Sequence, residues 1–125
     1  MTGGKKSTAQ RVIYDAFDLI AKQQKDPLQI FDEAIKNVSP FLEVKSRRIG
    51  GANYQVPREV RGDRKITLAM RWIINAAHSH KGMPMAKRLA EEFLAAARNE
   101  GPAIKKKLDM HRMAEANKAF AHFSW

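Results

Sequence analysis

Phe41-Leu42-Glu43-Val44-Lys45-Ser46-Arg47-Arg48-Ile49-Gly50-Gly51-Ala52-Asn53-Tyr54-Gln55-Val56-Pro57-Arg58-Glu59-Val60 is the stretch that decides how this chain folds. Two short runs, Phe41 to Ile49 and Asn53 to Val60, flank Gly50-Gly51-Ala52. In the second run Tyr54, Val56 and Val60 alternate with Gln55, Pro57 and Glu59, the two-residue period of a strand. Glycines between two such runs predict a β-hairpin. Pro57 lacks an N–H to donate, which argues for an edge or an isolated ribbon over 41–60 rather than a central strand. A lone two-stranded ribbon is marginal in water, so the core must come from its flanks.

Upstream, Ser7-x-x-Gln10 has the spacing of a capping box. Ala9, Val12, Ile13, Ala16 and Ile20 then repeat at helical intervals, predicting a helix over 7–22. Asp26-Pro27 reads as an N-cap followed by a first-turn proline. Leu28, Phe31, Ile35 and Val38 form the apolar stripe of a helix over 27–38, which Ser39-Pro40 ends.

Downstream, helix resumes near Gly62. Ile66, Ala69, Trp72, Ile73 and Ala76 share one face of a helix over 62–80, and Arg64, Thr67, Arg71, Asn75 and His78 form its polar stripe. Gly82 breaks that helix and Pro84 can start the next, over 84–98. Its apolar stripe of Ala86, Leu89, Ala90, Phe93, Leu94 and Ala97 is the cleanest in the chain. Gly101 suits a C-terminal cap, and Pro102 the first turn of a helix over 102–121. That last helix carries Ile104, Leu108, Met113, Ala116, Phe120 and Phe123 as its buried set. The expectation is a mainly α domain spanning 1–125, a five-helix bundle with an inserted, protruding two-stranded β-ribbon.

The bulk composition agrees with one folded domain. The 125 residues are 44% hydrophobic, unlike a disordered tail. Against 13 Asp and Glu stand 23 Lys and Arg, a formal charge of +10, which attracts polyanions. There is no cysteine, which excludes disulfides, thiolate zinc sites and a cysteine nucleophile. No apolar run approaches the roughly 20 residues of a membrane span. Met1-Thr2-Gly3-Gly4-Lys5-Lys6 has no apolar stretch of the kind that a secretory signal needs.

The charge is concentrated in three places. Lys45, Arg47, Arg48, Arg58, Arg61, Arg64 and Lys65 fall between Val44 and Lys65, opposed there only by Glu59 and Asp63. Such a ribbon can contact phosphates, and Tyr54 and Gln55 can add stacking or base-edge hydrogen bonds. The plainer alternative is a solvated ribbon whose charges keep its edge from pairing with other strands. Lys5-Lys6 precedes the first helix, with Arg11 one turn inside. Lysines there oppose the helix dipole, but a phosphate would be held by both them and the free backbone N–H groups. A frayed basic terminus is the alternative. Lys105-Lys106-Lys107 with Asp109-Met110-His111-Arg112 makes a third cluster, and three separate basic segments suggest a broad footprint.

Catalytic readings fail. His78-x-His80 on a helix lacks the four-residue spacing of a helical zinc pair, and His111 and His122 lie far off in sequence. Glu91-Glu92 are read as neighbours on the polar face of their helix, and adjacent helical residues do not face each other. Gly50-Gly51 lies in a hairpin rather than before a helix. Met70, Met83, Met85, Met110 and Met113 read as core filler or helix boundaries. No enzyme activity, cofactor or metal is expected.

Two long motifs carry a family resemblance. Lys45-Ser46-Arg47-Arg48-Ile49-Gly50-Gly51-Ala52-Asn53-Tyr54-Gln55-Val56-Pro57 closely resembles the ribbon of the seventh small-subunit ribosomal protein family. His111-Arg112-Met113-Ala114-Glu115-Ala116-Asn117-Lys118-Ala119-Phe120-Ala121-His122 resembles its C-terminal signature. Gly4-Lys5-Lys6-Ser7-x-Ala9 and Thr67-Leu68-Ala69-x-Arg71-Trp72 also match, so the likeness runs from Gly3 to Trp125. It implies a structural constituent of the small ribosomal subunit, in a bacterial cytoplasm or an organelle matrix. The implied partner is the 3′ major domain of small-subunit ribosomal RNA, with a part in assembling the head. It further implies a ribbon near the exit-site transfer RNA and the messenger RNA path. The other implied partners are neighbouring head proteins, among them the eleventh small-subunit protein, and not a membrane. Carried over residue by residue, it implies RNA contact by Lys5, Lys6, Lys45, Arg47, Arg48, Arg64, Lys65 and Arg71, with His111, Arg112 and Lys118 also in a matching motif. Arg11 joins them from its place beside the lysine pair. Gly50, Gly51, Asn53 and Tyr54 are the ribbon tip directed toward transfer and messenger RNA.

The sequence departs from the family pattern in three places. The basic arm and short helix that usually precede the match are expected to be absent. Phe123-Ser124-Trp125 stands where Tyr-Arg-Trp is common, and Gly62-Asp63-Arg64-Lys65 replaces a proline-containing turn. A free-standing DNA or messenger-RNA regulator and a protein-interaction bundle are the competing classes. The first would not sediment with small subunits, and the second would bind RNA with little salt dependence.

Overall fold

A computed structural model describes residues 4–123, and the side chains of all of these but Ile49 and 121–123. Five α-helices and one hairpin follow in the order α1 (Lys6–Lys22), α2 (Pro27–Val38), β1 (Leu42–Ile49), β2 (Ala52–Glu59), α3 (Gly62–Ser79), α4 (Met85–Ala97) and α5 (Pro102–Ala116). A 3₁₀ segment, Lys118–Phe123, closes the described chain. The mainly helical fold with an inserted two-stranded ribbon is the one the sequence implies.

Local chemistry sets the boundaries. The Asp26 carboxylate accepts from the N–H of Leu28 at 3.0 Å and of Gln29 at 3.4 Å, and Pro27 occupies the first turn of α2. Two bare N–H groups of a helix start are thereby satisfied. At the hairpin tip Gly50 and Gly51 have φ of 58° and 84°, the pair of left-handed residues that a two-residue type I′ turn needs. Ala52 pairs with Ile49, so the turn is Gly50-Gly51 alone and Ala52 belongs to β2. Arg88 ties the α3–α4 connection down, donating from Nε to the Met83 carbonyl at 2.7 Å and from Nη1 to that of His80 at 2.9 Å.

Helix α4 lies at the centre, packed against α1, α2 and α3. Leu89, Ala90, Phe93, Leu94 and Ala96 are buried on it. Phe17, Phe31 and Phe93 meet edge to face, with centroids 5.4 to 6.2 Å apart, joining α1, α2 and α4. Such aromatic pairs stabilise beyond the area they bury.

Several expectations are corrected. Ser7 does not cap α1. The Lys5 carbonyl already accepts from Ala9 N at 3.0 Å, which puts Ser7 inside the first turn, and the Lys5 N-cap makes no side-chain bond. Gly101 does not close α4. Asn99 takes the left-handed conformation, φ 62°, with Glu100 N bonded to Ala95 O and Asn99 N to Ala96 O, both at 2.9 Å. This is the Schellman pattern, and Gly101 instead caps the start of α5. Leu28, Ile66, Leu108 and Met113 are exposed, not buried. Leu28 sits in the first turn of α2, while the buried stripe of α3 centres on Ala69, Ile73 and Ala76, leaving Ile66 and Met70 on its flank. Only Ala103, Ile104 and Ala114 of α5 are buried, and part of what this helix packs against is the thin two-stranded ribbon. That helix ends at Ala116, where the Asn117 side chain donates to the Met113 carbonyl at 2.8 Å. The expected burial of Phe123 and the place of His122 lie outside the described side chains, and Met1 to Gly3, Ser124 and Trp125 lie outside the described residues.

Candidate nucleic-acid interface

The hairpin register sorts the basic residues by face. Glu43 pairs with Arg58, Lys45 with Val56 and Arg47 with Tyr54, all on the side turned toward the C-terminal part of the chain. Ser46 pairs with Gln55 and Arg48 with Asn53 on the opposite side, where all four are exposed. There the Gln55 amide donates to Ser46 Oγ at 3.0 Å. Strand alternation thus presents Arg48 and Asn53 to solvent and leaves Lys45 and Arg47 half-buried.

The base of the ribbon is locked by one carboxylate. Glu43 is only 4% exposed. It accepts from Arg58 Nε at 3.2 Å and from Arg64 Nη2 at 3.3 Å, linking β1 to β2 and to the first turn of α3. A buried carboxylate needs such partners. Tyr54, at the other end, packs its ring 5.1 Å from that of Phe120. Of the expected tip residues, Gly50, Gly51 and Asn53 are exposed, whereas Tyr54 is half-buried against the 3₁₀ segment.

Lys5, Lys6 and Arg11 are exposed at the start of α1, and Arg71 is exposed on α3. Among the described residues none of these four, nor Arg48, is in an ion pair. Arg112 and Lys118 are exposed too, each beside a carboxylate three residues earlier in the chain, Asp109 at 3.3 Å and Glu115 at 3.1 Å. Solvent-exposed pairs of this kind are worth little, so both remain available to an anion.

His111 and Lys65 meet at a place the sequence did not single out. The N–H of Phe41 donates to His111 Nε2 at 2.9 Å. The two rings stack, with centroids 5.8 Å apart and planes 24° from parallel. Lys65 Nζ lies 5.1 Å and Lys107 Nζ 5.7 Å from the Phe41 centroid. Burial, then the Lys107 charge, pushes the His111 imidazole below its ordinary value. Lys107 also donates to the Asn37 carbonyl at 2.8 Å, and burial lowers its ammonium. Of the third basic run, Lys105 and Lys106 face solvent and Lys107 turns inward.

Glu92 is a second correction of polarity. It is 2% exposed rather than on a polar face. Its Oε1 accepts from Ala103 N at 3.2 Å, and His80 Nε2 lies 3.8 Å from Oε2. The carboxyl therefore caps the start of α5 from across the bundle. Burial raises its pKa, opposed by the Ala103 N–H and by His80. Among the described residues no group of three His, Asp or Glu could hold a metal, and no helix is long and apolar enough to cross a membrane.

These features fit what the chain is similar to. A family model described as ribosomal protein S7p/S5e matches residues 1–118. Relatives named small ribosomal subunit protein uS7 align over the whole chain and over 81% of their own length. One from Thermotoga petrophila is 59% identical, one from Moorella thermoacetica 57% and one from Dehalococcoides mccartyi 56%.

Proposed function

The chain belongs to the ribosomal protein S7p/S5e family and is a constituent of the small ribosomal subunit, and from that premise we propose what it contacts there. It binds the 3′ major domain of small-subunit ribosomal RNA and helps assemble the head. Its ribbon tip, at Gly50, Gly51 and Asn53, lies near the exit-site transfer RNA and the messenger RNA path, with Tyr54 supporting the ribbon from behind. Head proteins, including the eleventh small-subunit protein, are its neighbours. The role is structural rather than catalytic.

The observation that carries this reading is how the cations divide. At the ribbon base Arg58 and Arg64 are held by Glu43. Lys5, Lys6, Arg11, Arg48 and Arg71, on three separate segments, stay exposed and outside any ion pair among the described residues. Phosphate contacts spread this way set position and give affinity, and each releases counterions.

The test is affinity for a 3′ major domain transcript against salt. Six phosphate contacts would cost on the order of a thousandfold between about 50 and 200 mM salt. An affinity that barely changes over that range refutes the electrostatic footprint, and equal affinity for an unrelated structured RNA refutes the assignment to this domain.

A further inference from the structure

Phe41 is 63% exposed although it is a large apolar side chain. It sits between the buried Pro40 and strand β1, so its backbone cannot swing freely. Its N–H is tied to His111 Nε2 at 2.9 Å and its carbonyl accepts from Val60 N at 2.9 Å. The offset His111 ring supports it from one side. Lys65 and Lys107 place their ammonium groups 5.1 and 5.7 Å from its centroid, from α3 and α5 respectively. Neither lysine is in an ion pair among the described residues.

An exposed ring held by its backbone, stacked on a second ring and overlain by the Lys65 ammonium, which no carboxylate holds among the described residues, matches one ligand chemistry. A flat base can take the place of the flexible Lys65 ammonium over the ring, and that ammonium can move to the phosphate beside the base. We infer that Phe41 and Lys65 form a seat for a single unpaired base of RNA, the base stacking on Phe41 and a flanking phosphate drawing the Lys65 ammonium to itself, while Lys107 stays tied to the Asn37 carbonyl beside the ring. His111 is a positioning residue, because it acts through the Phe41 ring and N–H. The inference rests on the RNA-binding reading above and adds to it a site that reads an unstacked nucleotide rather than duplex backbone. Stacking is how proteins commonly take bases from loops and bulges.

The experiment compares the full chain with Phe41→Leu, Phe41→Trp, Lys65→Gln and Arg48→Ala on the 3′ major domain transcript at fixed salt. Phe41→Leu keeps an apolar side chain and loses the π-face. It should weaken binding roughly five- to hundredfold with an unchanged salt slope and an unchanged Tm, and Phe41→Trp should restore binding. Lys65→Gln should reduce the salt slope by about one phosphate. Ultraviolet crosslinking of wild type should join RNA to the peptide that carries Phe41. If Phe41→Leu binds as wild type does while Arg48→Ala is weakened, RNA binding stands and the seat is overturned. If Phe41→Leu binds the transcript normally but fails to enter small subunits, the ring serves a protein neighbour and the seat is again overturned. If wild type does not bind the transcript at all, the RNA-binding reading itself falls.

Discussion

Replacing Glu43 by glutamine should loosen the ribbon from the bundle while making the protein a better polycation. The carboxylate is 4% exposed and serves two guanidinium groups at once, at 3.2 and 3.3 Å. Removing one member of a fully buried pair costs about 3–5 kcal/mol. Here the Arg58 and Arg64 side chains are 28% and 40% exposed, so both can recover water, and the cost falls to about 1–3 kcal/mol. At about 4 °C per kcal/mol for a chain of this size, Tm should drop by roughly 4–12 °C. Formal charge rises from +10 by one unit, and two arginines lose their internal anion. The salt slope of RNA binding should therefore steepen, by up to about two phosphates. Circular dichroism melts give the first quantity and filter binding across a salt series the second. A variant that melts with wild type would show that pairing only cancels the cost of burying Glu43. The ribbon would then be held by packing alone, and the reasoning about its base would be wrong.

Other substitutions separate stability from binding. Phe93→Ala removes the ring shared by α1, α2 and α4 and should cost about 3–5 kcal/mol in denaturant unfolding, whereas Arg48→Ala should weaken RNA binding and leave Tm nearly unchanged. The pH dependence of stability should report Glu92. Its native carboxyl keeps its proton above the ordinary 4.5, so the native state binds more protons than the unfolded state from 4.5 up to that raised value. Its contribution therefore falls as pH rises through the window. Glu92→Gln keeps an acceptor for Ala103 N and should abolish that contribution, read as the wild-type minus variant difference in ΔG across the acid range. His111 acts in the opposite sense. Its imidazole titrates below the ordinary 6.5, so stability falls as pH drops from 6.5 toward the lowered value, and His111→Gln should flatten that limb.

What could be read from sequence was local. Asp26-Pro27 and Gly50-Gly51 act within a few residues of themselves, so the α2 start and the hairpin were legible, as were the ring of Phe93 and the stripe around it. Ser7 and Gly101 misled because each motif has a competitor nearby. The Lys5 carbonyl starts α1 early, and Asn99 takes the left-handed position first. The long-range features were illegible for a different reason. Glu43 meets Arg64 only after the ribbon register and the start of α3 are both set. Phe41 and His111 are bonded across 70 residues, with no spacing rule to announce it. Glu92 looks like surface charge until α5 docks its first turn over it. The basic clusters marked candidate contact regions, but charge alone cannot distinguish Arg48, which is exposed, from Arg58 and Arg64, which Glu43 engages. Nor does it distinguish Lys107, turned inward, from Lys105 and Lys106.

The placement of the chain is tested most directly by a density map of small subunits assembled with this chain as their only copy of the protein. Density for the bundle should lie on the 3′ major domain in the head. Lys5, Lys6, Arg11 and Arg71 should lie within contact distance of phosphates, and the Gly50-Gly51 turn should point toward the exit-site channel. Density in the body of the subunit, or a head-bound bundle with the ribbon turned away from RNA, would refute the proposed placement.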